Sequence, residues 1–170
     1  MSHCCRDSDS DSDWNTVCGH SRASKKNIKL VWRETKRSAS KYAKLGSFEK
    51  IYASLRKRWR EGNSGIRGVG PLTCYDLCVH ICKNYNISLN GRVWLMGPGP
   101  VEAGKRLKIW KGTVECKKCK ITNEVYVMIK DVRAAFQKSK YEYDKEKVEN
   151  GAGGFDEADD MESYLCCWQR

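Results

Sequence analysis

The chain has 170 residues, enough for one domain with a real core and short for two independent ones. Its 32 Lys and Arg against 21 Asp and Glu leave a net charge of +11, which points to polyanionic partners. No run of about 18 apolar residues occurs, and the opening "MSHCCRDSDSDSDW" is acidic where a secretion signal would be basic and then apolar, so the expectation is a soluble, intracellular protein with no membrane segment.

Residues 1–23 repeat Asp-Ser, have little apolar content, and are expected to form a disordered acidic tail. The remainder, 24–170, is expected to be one mainly α-helical domain. A first helix is predicted over 25–45 from the broken stripe of Ile28, Val31, Trp32, Ala39, Tyr42 and Ala43, with Gly46 ending it. Ser47 then caps a second helix in which Phe48, Ile51, Tyr52, Leu55 and Trp59 recur at helical spacing. The segment "EGNSGIRGVG" breaks that helix, and Pro71 suits the first turn of a third. Its stripe of Cys74, Leu77, Cys78, Ile81, Cys82 and Tyr85 makes the cysteines small buried hydrophobes, and thiols held this way imply a reducing compartment, nucleus or cytoplasm.

"RVWLM" at 92–96 reads as an extended segment, followed by a short helix over 101–109. A loop, "VECKKCK", leads into the helical or mixed segment "NEVYVMIKDVRAAF". Residues 141–156 are charged and glycine-rich and read as a flexible acidic linker. A C-terminal helix over 157–168 has acids in its first turn and Met161, Tyr164, Leu165 and Trp168 on one stripe. It is expected to dock on Leu55, Trp59, Leu77 and Ile81, or to enter a partner's groove.

The charge is unevenly distributed. Residues 22–60 hold fourteen Lys or Arg against Glu34 and Glu49, a net of +12, whereas residues 142–162 hold nine acids against two lysines. The acidic ends are solvated tails, contacts for a protein partner, or a mimic of nucleic acid that covers the basic face. Serines between the aspartates could be phosphorylated and add further negative charge.

Helix, then Ile66-Arg67-Gly68-Val69-Gly70-Pro71-Leu72-Thr73, then helix resembles the helix-hairpin-helix family of nucleic-acid-binding modules over residues 47–85. The resemblance implies a hairpin whose glycines let backbone N–H groups approach phosphate, reinforced by the positive end of the second helix. Val69 would plug the core, and Arg67 and Thr73 would add a charged and a hydroxyl contact to phosphate. Arg56, Lys57, Arg58 and Arg60 on the entering helix, with Lys36 and Arg37, would supply the electrostatics. Such modules grip a duplex backbone without reading sequence, so DNA is the expected ligand, ahead of RNA in a ribonucleoprotein setting. Some relatives are DNA glycosylases with a lysine just after the hairpin glycines and an aspartate downstream. Here Leu72 and Thr73 follow the hairpin, and "MGPGPVEAG" has glycine where that acid would stand. No acid, base and nucleophile recur at a recognisable spacing, so the expectation is a non-enzymatic protein. The rival reading is an interaction domain whose basic surface meets an acidic protein.

Two other motifs compete. Residues 99–106, "GPVEAGKR", satisfy Gly-x4-Gly-Lys, but Arg106 stands where a phosphate-binding loop needs a hydroxyl for magnesium. Cys116 and Cys119 have zinc-knuckle spacing and supply half of a tetrahedral site. Cys18 with His20, His3 with Cys4, or one of Cys166 and Cys167 would have to complete it. The expectation is no cofactor, with zinc as the alternative. His80 reads as a structural histidine, Trp59, Trp94 and Trp168 as core, and Trp32 and Trp110 as core or as stacking platforms among lysines.

Overall fold

The structure, a computed structural model, describes Trp14 and residues 17–59, 66–106, 114–138 and 156–168, without the side chains of Arg106, Cys167 and Trp168. The chain is mainly helical. It divides into two compact units, one ending at Ser88 and one beginning at Leu89, a boundary that falls between ordinary residues rather than in a linker.

The N-terminal unit is built of helices α1 (Lys25–Arg37), α2 (Ala39–Ala43), α3 (Phe48–Trp59) and α4 (Pro71–Asn84). Ser24 caps α1 by accepting the Asn27 N–H. The expected first helix is interrupted at Ser38, whose N–H is shared between the carbonyls of Glu34 and Thr35 as the turn tightens. Gly46, at φ +75°, makes the stop after α2, and the Ser47 hydroxyl accepts the Lys50 N–H at the start of α3.

Helix α4 is the centre of this unit. Every residue from Thr73 to Cys82 is buried, not only the cysteine stripe, because α1, α2 and α3 all pack on it. Phe48 sets its ring edge-on to Tyr75 at 5.7 Å, while Leu55, Trp59, Leu77 and Ile81 are almost wholly buried. Residues 17–23, assigned by sequence to a disordered tail, are in place within this unit. Residues 17–20 form a helical turn with Val17 buried, and residues 1–13 lie outside the described residues.

The C-terminal unit has a three-stranded antiparallel sheet in the order β1 (Arg92–Trp94), β3 (Val125–Met128), β2 (Lys117–Lys118). With it go α5 (Pro98–Arg106), α6 (Ile129–Lys138) and α7 (Glu157–Trp168). Trp94 is fully buried and its ring lies 5.2 Å from that of Tyr126, its partner in register. The C-terminal helix α7 buries Met161 and Leu165 against α5, β1 and α6 of its own unit, where Tyr164 meets Phe136 edge-on at 5.9 Å. This corrects the expected docking on Leu55, Trp59, Leu77 and Ile81, which belong to the N-terminal core. Asp156 fixes the start of α7, accepting the Ala158 N–H on one oxygen and the Leu89 N–H on the other, both at 2.9 Å. Of the expected 141–156 linker only Asp156 is described, and the expected contact of Trp168 lies outside the described residues.

Burial pushes the Cys74 thiol up to about 11, although Arg56 opposes the shift, and burial with the neighbouring Cys82 sulfur pushes Cys78 well above the thiol range. A raised folded-state pKa means that the unfolded chain loses the proton first, so stability falls as pH rises from about 9 to about 11, by roughly 2–3 kcal/mol for a two-unit shift. Urea melts at pH 8 and pH 10.5 should show that loss. Cys74→Ala should be less stable at pH 8 yet lose less between the two, and an unchanged pH dependence would assign it to other groups.

Candidate nucleic-acid interface

The hairpin begins as a tight turn in which the Val69 N–H donates to the Ile66 carbonyl at 3.1 Å, with Gly68 at φ +93° in its third position. That φ requires glycine, and a second constraint is steric. A Cβ on Gly68 would lie 2.5 Å from the Arg22 carbonyl carbon and closer still to the Ala23 nitrogen. The backbone brought against this glycine is therefore the chain's own. The Gly68 carbonyl accepts the Arg22 N–H at 3.0 Å and the Ser21 hydroxyl at 3.2 Å. One turn into α4, the buried Asp76 carboxylate pairs with His20 Nδ1 at 2.6 Å. Residues 20–23 thus form a strap across the hairpin, held by Gly68 and Asp76.

The strap places Arg22 beside Gly68, near the exposed Arg67. Sequence reasoning counts Arg22 in the basic stretch 22–60 but does not place it at the hairpin, because residues 1–23 read as a tail in which Val17 and His20 give little sign of packing. Val69 is buried, as expected of a core plug. Gly70 is the N-cap of α4 at φ −101° with open space where a Cβ would stand and no side-chain cap. Pro71 follows and has no N–H, so Leu72 and Thr73 present the first backbone donors of α4. Thr73 itself is corrected: it is fully buried, and its hydroxyl, which has no hydrogen-bond partner among the described residues, does not face solvent.

The cations on α3 also differ from expectation. Arg58 is tied to Glu34 through Nη2 at 2.5 Å and Nε at 3.1 Å and lies 4.4 Å above the Trp59 ring. Arg56 is half-buried beside the Cys74 thiol. Lys57 is exposed, and Arg60 lies outside the described residues. The larger basic surface is α1, where Lys25, Lys26, Lys29, Arg33, Lys36 and Arg37 are all exposed. Lys36 sits 5.3 Å over Trp32, whose other neighbours are His80 at 4.6 Å and Trp14 at 6.1 Å. Trp32 is thus a half-buried packing residue, and Trp110 lies outside the described residues.

Among the described residues neither rival motif gathers a site. Gly99 to Arg106 lies within helix α5, which offers no loop to wrap a phosphate chain. Cys116 is exposed and Cys119 buried at the β2–β3 hairpin, where the Cys119 N–H donates to the Glu124 carbonyl. No third His, Cys, Asp or Glu joins them among the described residues, and His20, one of the candidates to complete the set, is bonded to Asp76. Among the described residues no helix is long and apolar enough to cross a membrane. Comparison with known protein families, characterised proteins and solved structures finds no match.

The two hairpin glycines should separate in a denaturation experiment. Gly68→Ala forces a Cβ into the strap backbone at a positive φ and should cost more than about 2 kcal/mol. Gly70→Ala meets nothing and adopts an ordinary φ, so its change should stay within about 1 kcal/mol. Equal urea midpoints for both variants would mean that the strap does not rest on Gly68.

Proposed function

We propose that the N-terminal unit binds duplex nucleic acid, DNA in the first place, through the phosphate backbone. The observation that carries this reading is the separation of charge by depth. Residues 17–88 contain sixteen Lys or Arg against four acids, and the three described acids are turned inward or paired. Glu49 is 5% exposed, Asp76 is buried against His20, and Glu34 is held by Arg58. What the described residues of this unit present to solvent is therefore almost entirely positive, on α1, on Lys41, Lys44, Lys50 and Lys57, and on Arg22 and Arg67 beside the hairpin. Such a surface binds a polyanion by releasing its condensed counterions, a mechanism that is strong, fast and salt-sensitive.

Within this reading Gly70 and the first N–H groups of α4 receive one phosphate, with Arg67 and Arg22 on either side, while the lysines of α1 engage the neighbouring phosphates. The protein is then a non-enzymatic binding module. An acidic protein could meet the same surface, but it would not reproduce the regular phosphate spacing that gives a steep salt dependence.

Binding of the full chain to a duplex of about 20 base pairs should weaken by roughly three orders of magnitude between 50 and 200 mM salt, as expected for about six neutralised phosphates. Replacing Lys25, Lys29 and Lys41 together by Gln should reduce the slope of log K against log salt by about three. Gly70→Ala should weaken binding with the fold intact. An affinity that hardly changes with salt would overturn the reading.

A further inference from the structure

The side of α1 turned away from the core has a composition that phosphate contact alone does not account for. Ile28, Val31 and Thr35 form the buried side of the helix. Directly opposite, at i, i+4, i+7 and i+11, stand Lys26, Leu30, Arg33 and Arg37, all exposed. Leu30 is 50% exposed, in the middle of a stripe otherwise made of cations. Lys25, Lys29 and Lys36 lie along one edge of this stripe and Asn27 and Glu34 along the other. Glu34 is the one acid on the helix, and Arg58 occupies its carboxylate. The stripe residues Lys26, Arg33 and Arg37 make no ion pair among the described residues.

A basic helix with an exposed leucine could also suggest a membrane surface, but that requires a broad apolar face, and the apolar face of α1 is already buried in its own unit. The dimensions suit a groove. Thirteen residues make a rod of about 20 Å, and the major groove of B-form DNA, about 12 Å wide, admits an α-helix. Arginine is matched to the O6 and N7 acceptors of guanine, an apolar side chain is matched to the thymine methyl, and edge lysines reach the phosphate walls. The major groove of an A-form RNA duplex is too deep and narrow for side chains to read.

We infer that α1 enters the major groove of B-form duplex DNA, with Leu30 against a thymine methyl and Arg33 and Arg37 on guanine edges, so that binding carries a sequence preference. This rests on the nucleic-acid reading above and extends it from the backbone to the bases. Lys25, Lys29 and Lys36 then serve as backbone contacts along one wall of the groove, and the Glu34–Arg58 pair keeps an acid from facing the other.

Selection from a randomised duplex library with the full chain at about 150 mM salt, followed by binding to the selected duplex, tests this. The expected result is an enriched site containing thymine and guanine. Replacing the contacted thymine by deoxyuridine, which removes only the methyl, should weaken binding about three- to fivefold. Leu30→Ala should cost the same factor on the thymine duplex and nothing further on the uracil duplex. Arg33→Lys should weaken the selected duplex about tenfold while leaving an unselected duplex nearly unchanged. Leu30 and Arg33 are exposed, so both variants should fold, and circular dichroism would check this. Steep salt dependence with no enriched sequence, or equal binding to an A-form RNA duplex, would overturn this inference and leave the backbone reading standing. No salt-sensitive binding at all would overturn both.

Discussion

The arrangement of the N-terminal unit depends on the absence of one carbon atom. Because Gly68 has no Cβ, the backbone of Arg22 and Ala23 lies directly on it, and its carbonyl receives two donors from the strap. Ser24 follows at once and caps α1, so the placement of the strap sets where the basic helix starts and how it leaves the hairpin. Below it, the His20–Asp76 pair holds the other end of the strap to α4. Two contacts a few residues apart thus convert a polar segment without a stripe of its own into the support for the strongly basic helix α1.

The second organising feature is the burial of α4 on all sides. Its cysteines are small enough for α3 to approach closely, and the Cys78 thiol finds a carbonyl, that of Phe48, 3.5 Å away. Burial raises the pKa of the Cys74 and Cys78 thiols, so these two titratable groups in the core behave as apolar ones at neutral pH. The polar residues of the same helix are handled differently: Asp76 takes His20, and His80 takes Asn84 at 2.9 Å and the Trp32 ring. With Glu49 and Asp76 drawn inward and the cations of α1 left outside, the described residues of the unit present a strongly positive surface.

Much of the helical framework was legible in the sequence because the signals were local. Gly46, Ser47 and Pro71 mark helix ends by their own chemistry, and the Phe48-to-Trp59 stripe needs only the helical period. What was not legible required knowledge of partners distant in the chain. "RKRWR" reads as a uniform basic cluster, yet Arg58 lies opposite Glu34 and Arg56 beside Cys74, contacts that no spacing announces. Thr73 stands where the resemblance would place a phosphate contact, yet it is fully buried. The strap is not legible in the sequence because Val17 and His20 are too few to form a period. The sheet was only partly visible, since β2 has two residues and no alternation can be read from two. Without that sheet the sequence does not reveal where the C-terminal helix docks, since a stripe of Met161 and Leu165 fits any apolar core.

The two sides of the hairpin explain why its glycines cannot be treated as one motif. Gly68 turns its carbonyl to the strap, and its conformation and surroundings both exclude a side chain. Gly70 stands at the start of α4 in an ordinary conformation with open space around it. A Gly-x-Gly signature reads them as equivalent contributors to anion binding, but in this chain the first serves internal packing and the second remains accessible to an outside ligand. Any anion at the hairpin must therefore approach from the Gly70 side, along the direction in which the N–H groups of α4 point. Substitutions at the two positions are separable there, because the residue that sustains the fold is not the one with open space beside it.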